Sequence, residues 1–217
     1  TLQAPMPDGT LRRLRVPILM YHYVSELPPN ADNLRVGVTV SPAMFREHLA
    51  YLAAREYQTI TLYQLYLALT QGLPLPPNPD VLTFDDGYTD HLYNVVPAML
   101  EHGFVGTFFI ITSFTYEFRP GYVTWDDVNQ IAAACMEIAS HTKTHPDMRG
   151  KSYDFLVYEL LGSIESVQAH TGVPAYTFAY PMGSYDDEAI DMLRQTGIKA
   201  AVTTQHGATH TTDGVLE

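Results

Sequence analysis

The chain is poor in the residues that would indicate a disulfide scaffold, a nucleic-acid binder or a membrane span. Its 217 residues include a single cysteine, Cys135, so no disulfide can form within the chain. Only 12 residues are Lys or Arg, and the formal net charge of −12 argues against nucleic acid or another polyanion as partner. No run of about 18 apolar residues occurs, so we expect no transmembrane helix.

What the chain does have is the composition of a globular domain. Hydrophobic residues make up 46% of it, with 15 Tyr and 9 Phe. Its length suits one domain with its own core. Residues 1–15 are predicted to be an N-terminal linker, because the proline-containing start, 1–8, indicates a segment that follows a removed signal or anchor. Residues 16–217 are expected to form the domain.

Strands and helices are predicted to alternate along the chain. Short apolar runs predict strands at residues 16–21, 81–84, 106–111, 137–140, 176–179 and 200–203. Capping residues and amphipathic spacing predict helices at residues 42 to about 53, 61–70, 95–101, 125–134, 153–169 and 186–196. This order favours an α/β fold with a parallel sheet and crossover helices, either closed into a barrel or left open.

Polar residues follow several of the predicted strands directly. His22, Asp85 with Asp86, and His141 each come after a strand, and so does the segment 180–183. In parallel α/β folds, chemistry gathers at the carboxyl ends of the strands. We therefore expect these residues to lie at one edge of the sheet.

Asp85 and Asp86 stand side by side before Gly87 at the end of a predicted buried strand. Two adjacent carboxylates repel each other unless a positive charge separates their roles. A divalent cation would bind one carboxylate and leave the other free as a base. On this segment alone, a solvated Asp-Asp-Gly turn is an equally good interpretation.

His141 and His145 are four residues apart and follow the strand predicted at residues 137–140. That spacing can direct both imidazoles at one cation, although alone it is not specific. His206 and His210 have the same spacing but lie in a Gly/Thr-rich tail, which favours a solvated loop.

One Asp and two His together make a three-ligand site with open coordination positions, as in hydrolytic metal centres. Non-haem iron oxygenases use a similar triad. The second carboxylate, Asp85, favours hydrolysis because oxygen activation needs no general base there.

Three segments, in this order, resemble the motifs of NodB-like polysaccharide deacetylases, carbohydrate esterase family 4. They are TFDDG at 83–87, HTKTH at 141–145 and FAYPMG at 178–183. The resemblance implies that Asp85 is the general base. It also implies a metal, usually zinc and sometimes cobalt or nickel, held by the ligand set Asp86, His141 and His145.

The third segment resembles the motif that lines one side of the substrate groove in this family. The resemblance implies substrate contacts from Tyr180 and Pro181, and it implies that the Met182 amide donates to the oxyanion. Ala179 departs from the pattern, because many members have an arginine there that orients the base. The FAYPxG variant is similar to the branch that contains the poly-β-1,6-N-acetylglucosamine deacetylases.

The histidine that protonates the leaving amine in most members ends a final leucine-rich strand, and no such strand follows Thr204. In the poly-N-acetylglucosamine branch the barrel is circularly permuted, and the segment 19–22 (LMYH) resembles that strand placed first. The resemblance implies His22 as general acid, and a capping or packing histidine is the alternative. The aspartate-tryptophan motif of the family is not found after Gly183.

The resemblance implies a distorted (β/α) barrel of about seven strands, formed by residues 16–217 as a catalytic domain. It implies removal of acetyl groups from N-acetylglucosamine residues of a polysaccharide such as poly-N-acetylglucosamine, peptidoglycan or a chitin-like polymer. We expect an extracellular, periplasmic or cell-surface monomer. Two alternatives stay open: an O-acetyl xylan esterase on the same fold, and a carbohydrate-binding domain with decayed catalysis.

Overall fold

The computed structural model describes residues 7–216, so the first six residues of the predicted linker and Glu217 lie outside the described part of the chain. Within it, the strands are β1 (Arg13–Arg15), β2 (Ile18–Tyr21), β3 (Tyr23–Val24), β4 (Thr39–Val40), β5 (Gln58–Ile60), β6 (Pro79–Phe84), β7 (Thr107–Ile110), β8 (Glu137–Ser140), β9 (Thr177–Ala179), β10 (Ala200–Val202) and β11 (Thr209–Thr211).

The helices are α1 (Asn33–Gly37), α2 (Pro42–Ala54), α3 (Leu62–Gln71), α4 (Val96–Leu100), α5 (Thr112–Tyr116), α6 (Trp125–Ala133), α7 (Tyr153–Leu156), α8 (Gly162–Thr171) and α9 (Asp187–Thr196). Two π-helical turns, His91–Val95 and Val157–Leu161, run directly into α4 and α8. Ser41, Thr61 and Thr124 cap α2, α3 and α6 through their hydroxyls, as the sequence predicts.

The main sheet has seven strands, and every pairing in it is parallel. The order is β10-β9-β8-β7-β6-β2, and β5 also pairs with the start of β6. Val81 of β6 pairs with Ile18 on one side and Ile60 on the other. No ladder joins β2 to β10 among residues 7–216, so the sheet is a curled half-barrel and not a closed barrel. This architecture confirms the predicted α/β fold class with a parallel sheet.

The two faces of the sheet bury different hydrophobic clusters. Alternate strand residues such as Val81, Phe109 and Ala139 form the smaller cluster with the apolar face of α3. Their neighbours, among them Phe84 and Phe108, form the larger cluster with the outer helices. Burial on both faces accounts for the continuous apolar runs of the central strands.

All six predicted strands and all six predicted helices are present, with shifts at their ends. The first predicted strand begins two residues later, at Ile18, and the helix predicted at 153–169 is α7, a π-helical turn and α8. The sequence did not predict α1, α5 or the two- and three-residue strands β1, β3, β4, β5 and β11, which are too short to carry a periodic pattern.

The end of the predicted linker takes part in structure. Arg13–Arg15 forms β1, which pairs antiparallel with β11, and the Asp8 carboxylate pairs with the Arg12 guanidinium at 2.6 Å. Strand β1 thus precedes the predicted boundary between linker and domain at residue 16, and that boundary stays a prediction. In the described residues, no helix has the length and apolar character needed to cross a bilayer.

Candidate active site

The carboxyl ends of the parallel strands bring the predicted site residues to one edge of the sheet. Asp85 and Asp86 follow β6, while His141 follows β8, two strands away in the sheet. His145 lies in the loop after β8. The candidate ligand atoms of Asp86, His141 and His145 all lie within 4.8 Å of one another. These three residues could hold a metal ion.

The candidate ligand atoms of this cluster lie close enough together to bind one divalent cation. Asp86 Oδ1 lies 3.4 Å from Nε2 of His141 and 3.4 Å from Nε2 of His145. This oxygen is buried and has no hydrogen-bond partner among residues 7–216. The His141 Nδ1–H donates to the Ala179 carbonyl at 2.8 Å, which leaves Nε2 to face the cluster. The donor set of one carboxylate and two imidazoles fits zinc.

His145 is available as a ligand at neutral pH. Burial and the neighbouring His141 lower the pKa of His145 to about 4. The imidazole is therefore uncharged at pH 7 and has a free lone pair. For Asp86, burial raises the pKa, but His141 and the Tyr88 hydroxyl outweigh it, so the pKa lies below its usual range and the carboxylate is charged.

Tyr88 holds the other oxygen of Asp86. Its hydroxyl donates to Asp86 Oδ2 at 2.7 Å, and its ring stacks on Tyr23 with the centroids 3.6 Å apart. Asp86 has a left-handed backbone (φ 75°), which is uncommon for a residue other than glycine. The hydrogen bond and the backbone together direct Oδ1 at the two imidazoles.

Asp85 lies beside this cluster as a buried carboxylate. Its amide donates to the Tyr21 carbonyl at 2.9 Å, and its Oδ1 has no hydrogen-bond partner in the described residues. Burial raises the pKa of Asp85, although the nearby His141 and His22 oppose the shift. No Lys or Arg forms an ion pair with Asp85 within residues 7–216. Ala179, where many members of the family that the sequence resembles have an arginine, is packed in the smaller hydrophobic cluster.

His22 follows β2 and lines a cavity of about 760 Å³ together with Asp85 and Tyr180. Residues of β2 and β10, which do not pair with each other in the described part of the chain, also line this cavity. The Nε2–H of His91 donates to the His22 carbonyl at 2.7 Å and fixes the backbone there. His91 is fully buried in the first π-helical turn.

The segment after β9 forms a tight turn. Gly183 N–H donates to the Tyr180 carbonyl at 2.8 Å, and Ser184 N–H donates to the Pro181 carbonyl at 3.0 Å. Neither bond uses the Met182 amide, and Met182 is left-handed with φ 56°. Gly183 is required because a Cβ there would stand 2.7 Å from the Thr204 nitrogen.

The substrate contacts predicted for Tyr180 and Pro181 stay a prediction. Both side chains are buried, and the Tyr180 hydroxyl donates to the Leu216 carbonyl at 3.1 Å. This burial argues against stacking of the Tyr180 ring on a sugar. His206 and His210 do not join the metal cluster; His206 is exposed and His210 contacts the Val16 carbonyl at 2.9 Å.

Sequence reasoning missed two residues of the site, Tyr88 and His91. Tyr88 is two residues beyond Asp86, and this closeness in sequence could have indicated a contact between the two side chains. His91 gave no signal, because its position depends on a π-helical turn that the amphipathic pattern does not reveal.

Comparison with known proteins shows the family of this chain. A family model described as polysaccharide deacetylase matches residues 74–201, which include the segments 83–87, 141–145 and 178–183. The chain belongs to the polysaccharide deacetylase family. This is the NodB-like family, carbohydrate esterase family 4, and membership implies a hydrolase that removes acetyl groups from polysaccharides.

Two curated members are similar along much of the chain. "Putative polysaccharide deacetylase YxkH" of Bacillus subtilis (strain 168) is 28% identical over 95% of this chain and 70% of its own length. The poly-β-1,6-N-acetyl-D-glucosamine N-deacetylase of Escherichia coli (strain K12) is 25% identical over 78% of this chain. The matched region is 31% of that larger protein.

Solved structures of deacetylases share the fold of this family member. The Streptococcus pyogenes deacetylase PplD, in complex with acetate, is 25% identical. Its structure superimposes with a TM-score of 0.84 over 90% of this chain and 86% of that chain.

Proposed function

We propose that this family member is a metal-dependent hydrolase that removes acetyl groups from N-acetylglucosamine residues of a polysaccharide and releases acetate. The observation that carries the proposal is the position of Asp85. A buried carboxylate with an unpartnered oxygen stands beside the cluster of Asp86, His141 and His145. A proton acceptor next to a cation site is the combination that hydrolysis of an amide requires.

Asp86, His141 and His145 would hold the metal, with zinc as the first candidate and cobalt or nickel as alternatives. When bound, the metal supplies Lewis acidity, which polarises a carbonyl oxygen and lowers the pKa of water. The hydrogen bond from Tyr88 leaves one oxygen of Asp86 for this purpose. Three protein ligands leave positions open for water and substrate.

The remaining roles belong to the chain's own residues. Asp85 Oδ1 accepts a proton from the water that attacks the acetamide carbonyl, and burial favours this transfer because it raises the pKa of Asp85. The Met182 amide donates to the carbonyl oxygen as negative charge develops there. The protonated His22 imidazole then donates to the leaving nitrogen, the carbon–nitrogen bond breaks, and acetate and a free amine result.

The names of similar proteins support an N-acetylated substrate. The curated E. coli relative is a poly-β-1,6-N-acetyl-D-glucosamine N-deacetylase, and the similar S. pyogenes deacetylase was solved with acetate, the product proposed here. We propose a polymer of this kind, located in the extracellular space, the periplasm or the cell surface, as the substrate. Poly-N-acetylglucosamine, peptidoglycan and chitin-like polymers all carry the required acetamide.

The roles are tested by separating metal binding from turnover. In Asp85→Asn we expect metal to be retained and acetate release from N-acetylglucosamine oligomers to fall by about 100-fold or more, because the general base is lost. In His141→Ala we expect the metal itself to be lost. Metal per protein is measured by elemental analysis and acetate by a coupled enzymatic assay.

Matched controls come from exposed residues of the same types. Asp126→Asn and His102→Ala change exposed side chains outside the site and should keep both metal and activity. If Asp85→Asn released acetate at the rate of the unchanged protein, the assignment of Asp85 as base would be wrong.

A further inference from the structure

The loop between the two candidate histidine ligands has a backbone that needs support. Thr142 and His145 both lie in the left-handed region, with φ of 65° and 61°. For residues other than glycine this conformation is sterically unfavourable, because Cβ comes too close to the backbone. The loop at 141–145 therefore keeps its shape only if its surroundings determine it.

A single buried carboxylate binds the backbone of this loop. Glu159 Oε2 accepts hydrogen bonds from the amides of Lys143 and Thr144, both at 2.9 Å. Glu159 Oε1 accepts from the Thr144 hydroxyl at 2.6 Å. Glu159 thus takes three donors from the residues that separate His141 from His145.

Glu159 has no counter-ion among residues 7–216. It is 1% exposed. The Lys143 ammonium lies instead over the rings of Tyr116 and Tyr158, at 5.9 and 5.1 Å from their centroids. The three loop donors are therefore what offsets the cost of burying this charge.

The position of Glu159 in its helix is otherwise an apolar one. It lies in the second π-helical turn, on the inward face between Leu156 and Leu160, which are 2% and 0% exposed. A charged residue is rare at such a position unless it has a specific partner. π-helical turns occur frequently at functional sites.

The opposite side of the loop is also anchored. The amides of Thr112 and Ser113, at the start of α5, donate to the carbonyls of Thr142 and Lys143 at 3.2 and 3.0 Å. The His145 amide donates to the Thr142 hydroxyl at 2.9 Å. Helix α5 thus binds the loop carbonyls, and Glu159 binds the loop amides.

We propose that Glu159 is a positioning residue of the metal site, which fixes the loop so that Nε2 of His141 and Nε2 of His145 converge on one cation. The inference rests on the proposed function, because it assigns the loop to a metal centre. Without Glu159, the Lys143 and Thr144 amides lose their acceptor and the left-handed backbone can relax. The two imidazoles then lose their common direction.

The test measures Co²⁺ binding to metal-depleted protein by calorimetry and by the visible absorption of the bound ion. For Glu159→Ala we expect affinity to fall by about 10- to 100-fold, as for other residues that orient metal ligands, with an altered Co²⁺ spectrum. Glu159→Gln keeps an oxygen for both amides and an NH₂ group for the Thr144 hydroxyl. We therefore expect affinity within about threefold of the unchanged protein.

Two controls separate positioning from general destabilisation. Glu165→Ala removes an exposed glutamate from the neighbouring helix and should change nothing. Leu160→Ala leaves a cavity beside Glu159 and should lower the melting temperature, yet keep Co²⁺ affinity and spectrum at 20 °C, where the protein stays folded.

Unchanged Co²⁺ affinity in folded Glu159→Ala would overturn the proposal, and so would an equal loss in Leu160→Ala. Neither result depends on turnover. If the unchanged protein bound Co²⁺ but released no acetate, the proposed function would fail while the role of Glu159 would still be decided by the affinities.

Discussion

Asp80, at the start of β6, should destabilise the folded protein at neutral pH. It is 1% exposed, and neither carboxylate oxygen has a hydrogen-bond partner of normal geometry among residues 7–216. Burial raises its pKa to about 6, and the neighbouring Val81 amide opposes the shift only in part. We predict that Asp80→Asn, which keeps the shape and removes the charge, increases the free energy of unfolding.

The magnitude follows from the difference between the folded and unfolded pKa of Asp80. The pKa rises from 3.8 to about 6, and each unit corresponds to about 1.4 kcal/mol. Because the folded pKa is the higher one, the folded state binds more protons between these values, and stability falls as pH rises through this window. Asp80→Asn should therefore be more stable by about 3 kcal/mol at pH 7.5 and by about half of that at pH 5.

The assay is urea unfolding of metal-depleted protein at pH 7.5 and pH 5, so that metal binding does not contribute. Glu47→Gln removes an exposed charge from α2 and serves as control, with no expected change at either pH. A stability difference for Asp80→Asn that is zero or negative at pH 7.5, or the same at both values, would refute the reasoning.

Two further predictions concern the site. Tyr88→Phe removes the hydrogen bond to Asp86 and keeps the ring. Co²⁺ affinity should therefore fall by about tenfold while thermal stability changes little. Unchanged affinity would show that the Tyr88 hydroxyl does not orient Asp86. Gly183→Ala adds a methyl group against Thr204 at a left-handed position, so acetate release and the melting temperature should both fall. An alanine variant with unchanged acetate release and an unchanged melting temperature would contradict the described turn.

The sequence was sufficient for six of the seven strands of the main sheet and for grouping the candidate site residues. Buried parallel strands are continuous apolar runs, and the residue after each run lies at the carboxyl edge by the geometry of the fold. Asp86, His141 and His145 could therefore be grouped from the sequence alone. The short strands β3 and β4 could not be predicted, because two-residue pairings depend on tertiary contacts.

The backbone details of the site were beyond the reach of sequence patterns. Asp86, Thr142 and His145 are left-handed without being glycine, so no residue type marks their conformation. The two π-helical turns share the amphipathic pattern of ordinary helices. Glu159 is a glutamate on an inward helical face, and only the fold shows which loop it binds.

Ala179 bears on how the Asp85 carboxylate is held in place. The sequence has alanine where many family members have an arginine, and Asp85 has no Lys or Arg ion-pair partner within residues 7–216. Ala179 instead contributes its carbonyl, which fixes the tautomer of His141. Asp85 is positioned by its place at the end of β6 and by the amide contact with Tyr21.

The most direct test of the proposed activity is acetate release during titration of metal-depleted protein with Zn²⁺. We predict that release from N-acetylglucosamine oligomers is negligible without metal, rises with added Zn²⁺ and levels off at one equivalent per chain, with little release from acetylated xylan. Release that is indifferent to metal depletion, or that occurs only from the xylan ester, would contradict the account.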